Sequence, residues 1–304
     1  MNSKALKQLT ICIPTRDRSN FLRNCLKRIK ETLPDCNIII CDNSQIFTME
    51  CVLKEFPKLK IDYLKPQGNL SIYENFDRCI SHVKSKYFFI LGDDDLIGDR
   101  LYFHTALNFL EKNKCSGMVC GRVRMFDIRN VEKISTYKFH KSCAVHPYTR
   151  SNLLFKLPFP TITGCIFRTS SFGSLKFCSY NHSSADTSLL LEILLKIECF
   201  FINLCPTIMV AHDKNDHVTL DREEIKKDLN CSFSNCLYIA KLYGINQNFP
   251  KIIYSFFVIN RFFTHRDLRF FIFYMILSLK GFNIFYLIFS ILILFKKWLF
   301  KNSR

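Results

Sequence analysis

The chain has 304 residues, 48% of them apolar and 23% charged, which excludes a disordered segment and leaves ample material for a large core. Nine Gly and nine Pro exclude collagen-like and linker-rich architectures. The formal net charge of +17 makes anionic partners the expectation.

In chain order, the apolar run 9–13 predicts a buried strand, broken by Pro14-Thr15-Arg16-Asp17-Arg18. A helix follows, with Phe21, Leu22, Cys25, Leu26 and Ile29 on one face and Asp17, Ser19 or Asn20 as its cap. Residues 37–41 form a second strand ending at Asp42-Asn43-Ser44. A short helix near 49–56 leads to a strand over 60–64. The loop 65–69 precedes a helix with Ile72, Phe76, Cys79, Ile80 and Val83 on one face, then a strand over 87–91 ending at Gly92-Asp93-Asp94-Asp95. Near-continuous apolar strands joined through helices predict a parallel sheet covered on both faces, with ligands beyond the carboxyl ends of its strands.

The middle of the chain is less regular. It reads as a helix over 100–113, a strand over 117–125, a loop-rich stretch 140–160 and a strand over 161–168. Ser183-Ser184-Ala185-Asp186-Thr187 opens a helix whose apolar run is 189–197; 202–210 reads as one strand, followed by a polar segment with His212 and His217. Fifteen Cys are scattered singly with no CxxC pair, which reads as reduced thiols used as small core residues. Residues 1–8 are polar, so no secretory signal is expected.

From 231 to 304 there are ten Lys or Arg against the single acid Asp267, and 251–304 holds twelve of the 31 Phe. Such a basic, greasy segment suits an anionic membrane face and not a nucleic-acid groove. Its longest apolar-leaning run, 282–295, precedes Lys296-Lys297 and falls short of the about 20 residues a spanning helix needs, so in-plane docking is expected. The expected division is a catalytic domain over 1–222 and a helical, membrane-associating segment over 223–304.

Three consecutive aspartates after a buried strand bring like charges together in a concave site, which a hard cation such as Mn²⁺ or Mg²⁺ would compensate. The plainer reading is an acidic turn capping the helix after Asp99. Asp42 can accept hydrogen bonds from a nucleobase or ribose, or form an Asx turn with Asn43 and Ser44. Arg16 and Arg18 suit phosphate or a solvated surface. Asp186 suits a general base or a helix cap. His212 suits a metal or phosphate contact. Neither GxGxxG nor GxxxxGK[ST] occurs, so a dinucleotide site and a P-loop are not expected.

Together, Ile11-Cys12-Ile13-Pro14-Thr15-Arg16-Asp17-Arg18, Ile39-Ile40-Cys41-Asp42-Asn43-Ser44, Leu91-Gly92-Asp93-Asp94-Asp95-Leu96 and Ala185-Asp186-Thr187 resemble the family 2 glycosyltransferases of GT-A fold. Ser71-Ile72-Tyr73-Glu74-Asn75-Phe76 and Leu91–Asp95 look most like the bacterial surface-polysaccharide branch, abequosyltransferase-like members included. Gly92 stands where the family often has Asp, and Ala185 where it often has Glu. The resemblance implies a Rossmann-like, mostly parallel sheet and an inverting, metal-dependent transfer from a nucleotide-sugar to a glycan or lipid-linked acceptor at the cytoplasmic membrane face. It implies that Pro14, Thr15, Arg16, Arg18, Asp42, Asn43, Asp93 and Asp94 hold the nucleotide-sugar. Asp93 and Asp95, with His212, would hold Mn²⁺ or Mg²⁺, and Asp186 would act as base. A sugar nucleotidyltransferase is the alternative, though 14–18 lacks the Gly-rich loop such enzymes carry. A non-catalytic membrane or nucleic-acid binder would leave the aspartates unexplained.

Overall fold

The computed structural model describes residues 3–45, 49–65, 67–127, 143–149, 160–180, 185–211 and a few between 231 and 244. The expected boundary at 222/223, His212 and the Phe-rich stretch 251–304 lie outside the described residues. Met1–Leu153 with Leu157–Arg222 make one compact unit, and Leu154–Lys156 with Glu223–Arg304 another. In the second, the described residues include a helical stretch, 237–242. Among the described residues no helix is long and apolar enough to cross a membrane.

In the first unit the strands are β1 (Leu9–Thr15), β2 (Asn37–Asp42), β3 (Lys60–Leu64), β4 (Tyr87–Ile90), β5 (Leu96–Ile97), β6 (Ser116–Gly121), β7 (Arg124–Asp127), β8 (Val145–Pro147), β9 (Cys165–Arg168), β10 (Glu198–Ile202) and β11 (Thr207–Ala211). The helices are α1 (Ser3–Leu6), α2 (Ser19–Thr32), α3 (Glu50–Leu53), α4 (Ile72–Ser81), α5 (Arg100–Lys112), α6 (Thr169–Phe172) and α7 (Ala185–Lys196). Eight strands form one sheet in the order β3-β2-β1-β4-β9-β6-β10-β8. All run parallel except β9, antiparallel to both its neighbours, and the edge strand β8. A small second sheet, β5-β11-β7, follows the carboxyl end of β4.

The parallel pairing follows from composition. Every residue of β1 and β4 is buried, as strands covered on both faces require. Leu22, Cys25, Leu26 and Ile29 of α2 pack with Phe103 and Leu107 of α5 against Ile11, Ile13 and Phe89. Full burial of each such side chain contributes roughly 1.5–3 kcal/mol. Against the other face α4 buries Cys79, while the side-chain amide of Asn75 donates to Cys41 O at 2.9 Å.

Five sequence expectations need correction. Strand 117–125 breaks after Gly121 into β6 and β7, and 202–210 breaks at Asn203–Pro206 into β10 and β11, because Pro206 has no N–H for a continuous ladder. The stretch 161–168 begins as a 3-10 turn, Ile162–Gly164, before β9. The N-cap of α2 is Arg18, whose side chain makes no capping bond to the helix, since Asp17 is engaged elsewhere. Ile72 is 52% exposed; it lies in the first turn of α4, where Ser71 and Glu74 form a capping box that the Ser-x-x-Glu spacing announces.

The two broken strands press together at Gly121. A Cβ there would lie 2.4 Å from Pro206 Cδ and 2.7 Å from both Leu204 O and Tyr102 Cε2. Gly121→Ala is therefore expected to destabilise by about 1–3 kcal/mol or more. Urea unfolding should show a lower midpoint at an unchanged slope; an unchanged midpoint would mean that this junction yields freely.

Candidate active site

The carboxyl ends of β1, β2 and β4 meet at one edge of the sheet. Thr15 pairs with Asp42, and Asn43 N donates to Thr15 O at 2.9 Å. Leu91 N donates to Cys12 O at 2.9 Å, so the aspartate turn leaves β4 beside β1.

The three aspartates take different partners. Asp93 is 4% exposed; Thr15 Oγ1 donates to its Oδ2 at 2.7 Å and an Arg18 nitrogen reaches its Oδ1 at 3.4 Å. The same Arg18 nitrogen reaches Asp94 Oδ2 at 3.1 Å. Asp95 is 5% exposed, and its carboxylate accepts from the backbone N–H of Val210 in β11. The family-atypical Gly92 has a structural reason: a Cβ there would lie 2.9 Å from Asp94 Oδ1 and 3.2 Å from Asp95 Oδ2. These two carboxylates thus meet over the glycine, in space that any other residue would fill.

Burial and the neighbouring Asp94 push the Asp93 carboxyl up to about 7, against the opposing pull of Thr15 and Arg18. Burial, with Asp94 and Asp93 adding, raises Asp95 well above the usual carboxylate range. Crowded, dehydrated carboxylate oxygens of this kind fit a hard divalent cation. Among the described residues no three His, Cys, Asp or Glu side chains already converge as a complete metal site, so further ligands would come from a substrate or from residues outside the description. The plainer capping role falls to Asp99, whose Oδ1 accepts from Leu101 N at 2.8 Å.

The sign of the pH dependence follows. An unfolded aspartate ionises near 3.8, whereas Asp93 in the fold ionises near 7. Between those values the folded metal-free chain holds the extra proton, so this contribution to stability is full below about 4 and is lost as pH rises through 7. Relative to Asp93→Asn, the wild-type thermal midpoint should fall over that window, and the gain from added Mn²⁺ should grow with pH. A gain independent of pH would separate the cation from these carboxylates.

Asp42 and Asn43 build the loop. Asp42 has no exposed surface: its Oδ1 accepts from Ser44 N at 2.8 Å, and its Oδ2 from Met49 N at 2.9 Å and the Tyr63 hydroxyl at 2.6 Å. This is the Asx turn that the sequence left open, reinforced by Tyr63, which sequence reading missed. Asn43 exchanges two side-chain hydrogen bonds with the backbone of Leu70, 2.7 Å to its carbonyl and 3.1 Å from its N–H. Beneath them Asn75 Oδ1 is buried with no hydrogen-bond partner among the described residues.

The segment after β1 is clasped to the segment after β2. Asp17 adopts φ 51°; its N–H donates to Ser44 Oγ at 2.8 Å and its Oδ1 accepts from Gln45 N. Arg16 stays largely exposed, its Nε 4.0 Å from Asp17. Pro14 lies within β1 opposite Cys41, where no donor is missed.

Asp186 is half-buried in the first turn of α7, and its Oδ1 accepts from Thr187 N at 2.8 Å. Because α7 leads into β10, which runs with β6 and β4, the N-terminal turn of the helix faces the carboxyl ends of the parallel strands. The helix also packs on the Ile162–Gly164 turn at the carboxyl end of β6.

The sequence profile of Glycosyl transferase family 2 matches residues 10–176, which takes in the β1, β2 and β4 strand ends. A sequence comparison with curated proteins finds no match. Among solved structures, S. aureus TarS 1–349 in complex with UDP-GlcNAc aligns with TM-score 0.61 at 14% identity, over 84% of this chain and 72% of that one. A further structure of S. aureus TarS gives TM-score 0.58 at 14% identity, over 84% of this chain and 43% of that one. A mannosyltransferase from Pyrobaculum calidifontis, in complex with GDP-Man and Mn²⁺, gives TM-score 0.56 at 13% identity, over 78% and 66%. The shared feature is the α/β fold of GT-A type.

Proposed function

The chain belongs to glycosyl transferase family 2, and from that premise we propose an inverting glycosyltransferase that moves a sugar from a nucleotide-sugar to a hydroxyl of a growing bacterial surface glycan. The observation that carries this reading is the carboxylate cluster Asp93–Asp95 at the end of β4, tied by Thr15 to β1 and by Arg18 to α2. The similar folds that hold UDP-GlcNAc, or GDP-Man with Mn²⁺, support a nucleotide-sugar as donor.

In this reading Asp95, with Asp93 and Asp94 beside it, would hold Mn²⁺ or Mg²⁺, and His212 is the further ligand expected from sequence. That ion would neutralise charge on the departing nucleoside diphosphate. Thr15 fixes the Asp93 carboxylate; Arg18 places a permanent charge beside the phosphates. Asp42 and Asn43 serve the donor by fixing the backbone at Ser44, Met49 and Leu70 around the strand end. Asp186 takes the acceptor's hydroxyl proton as oxygen attacks the anomeric carbon from the face opposite the leaving group. One base suffices for inversion.

The acceptor class, O-antigen, lipooligosaccharide or capsule with abequosyltransferase-like members as relatives, rests on the Ser71–Phe76 and Leu91–Asp95 motifs. The basic segment 223–304 would keep the enzyme at the inner membrane face, where lipid-linked acceptors lie. Each nearby Lys or Arg adds about 1 kcal/mol of attraction to anionic lipid. Full-length protein should sediment with anionic vesicles at low salt and release at high salt; retention in alkaline wash would mean a spanning segment instead.

The deciding experiment is incubation with a panel of sugar nucleotides and Mn²⁺. Release of nucleoside diphosphate is expected. Pyrophosphate chemistry would identify a nucleotidyltransferase, and no turnover with any donor and acceptor extract would favour a binder.

A further inference from the structure

The proposal concerns Arg18, and it rests on the metal-dependent reading above. Its guanidinium nitrogen bridges Asp93 and Asp94, 3.4 and 3.1 Å away, where a divalent cation would also draw on carboxylate oxygens. Two cations cannot share those oxygens without repulsion, because like charges a few ångströms apart in a partly buried site are weakly screened.

The backbone is built to put it there. Asp17 holds the left-handed φ of 51° that reverses the chain after β1. The Ser44 hydroxyl and the Gln45 N–H pin that residue through its N–H and carboxylate. Arg18 then begins α2 with its side chain 29% exposed, reaching the aspartate turn while remaining open to an incoming anion. A guanidinium never loses its charge at physiological pH and binds phosphate in a bidentate fork.

We propose that Arg18 is the resident cation of the donor-free site: it occupies Asp93 and Asp94 until a diphosphate draws the guanidinium away and frees their oxygens for the metal. Metal and nucleotide binding are thereby coupled through a side chain, beyond the direct contact of metal with phosphate. Arg18 is a positioning residue in this role, and its coupling must act equally on both ligands.

Electron paramagnetic resonance of free Mn²⁺ tests this on the full chain, with wild type, Arg18→Gln and Arg18→Lys, each alone and with UDP or GDP. Arg18→Gln should bind Mn²⁺ alone about tenfold more tightly than wild type and lose most of the enhancement that nucleotide confers. Arg18→Lys, which keeps the charge, should stay near wild type. If Arg18→Gln fails to fold, Arg18→Met removes the charge while keeping the apolar stem. Unchanged or weaker Mn²⁺ binding by the uncharged variant without nucleotide overturns the proposal while leaving the catalytic reading intact. Failure of all three proteins to bind Mn²⁺, with nucleotide present, overturns the metal-dependent reading and this inference with it.

Discussion

Asp95→Asn is expected to abolish sugar transfer and leave the fold intact. The substitution is isosteric, and the amide oxygen can still accept from Val210, so the bond joining the aspartate turn to β11 survives. It removes a carboxylate that is 5% exposed and crowded against Asp94 over Gly92. Relief of that repulsion means that stability holds or rises. The chemical loss is of another order. Removing one preorganised group that stabilises developing charge typically costs about 10²–10³-fold in turnover, and loss of the metal costs more. Turnover at limiting and saturating Mn²⁺, beside thermal midpoints without metal, would check both halves. Wild-type turnover at limiting Mn²⁺ would take Asp95 out of the metal site. A lower midpoint would show instead that its charge holds β11 in place.

How much of this was legible in the sequence depends on how local each signal is. Strands β1, β2 and β4 are readable because their apolar runs are short, continuous and bounded by polar residues, β3 because Lys60-Ile61-Asp62-Tyr63 alternates polar and apolar residues, and their order places Thr15, Asp42 and Asp93 at one end of the sheet. The break before Thr207 has a local sign in Pro206, whereas the break after Gly121 has none. An apolar run looks continuous until the partner that interrupts it, Pro206 against Gly121, is known. The orientation of Asp42 was equally hidden: its fate turns on Tyr63, 21 residues away, whose hydroxyl takes the oxygen that a ligand would otherwise meet. The structure adds to the reading of Thr15 as a donor contact a bond the sequence does not announce, from its hydroxyl to Asp93. Antiparallel β9 carries a buried Arg168 that donates to Ser116 O and Leu110 O, a strut between β6 and α5 that no local pattern announces. What the sequence could signal was the inventory of charged groups. What it could not signal was which partners each takes: Asp42 accepts from two backbone N–H groups and the Tyr63 hydroxyl, whereas Arg18 lies on Asp93 and Asp94.

Asp186→Asn is expected to slow transfer by about 10²–10⁴-fold, the usual contribution of a general base, without weakening donor binding. The geometry sets the terms. Asp186 lies on α7, a different element from β1, β2 and β4, whose ends carry the donor-side residues; with its role confined to the acceptor's proton, a change in its carboxylate should leave nucleotide affinity alone. Asparagine can keep the bond from Thr187 N and is tolerated in a helix's first turn, so α7 should start where it does now. Ala185, fully buried, stands beside it and offers no second carboxylate, so in the proposed reading Asp186 alone would take the proton. The signature is a fall in kcat with an unchanged KM for the sugar nucleotide, together with loss of the acidic limb of the pH–rate profile. A base that no longer titrates cannot impose that limb. If nucleotide affinity falls while turnover at saturation stays level, Asp186 belongs to the donor site, and the proton must leave through another group. The distinction is measurable because the two roles act on different terms: a donor contact stabilises the bound ground state, whereas a base stabilises only the state in which the acceptor oxygen is already losing its proton.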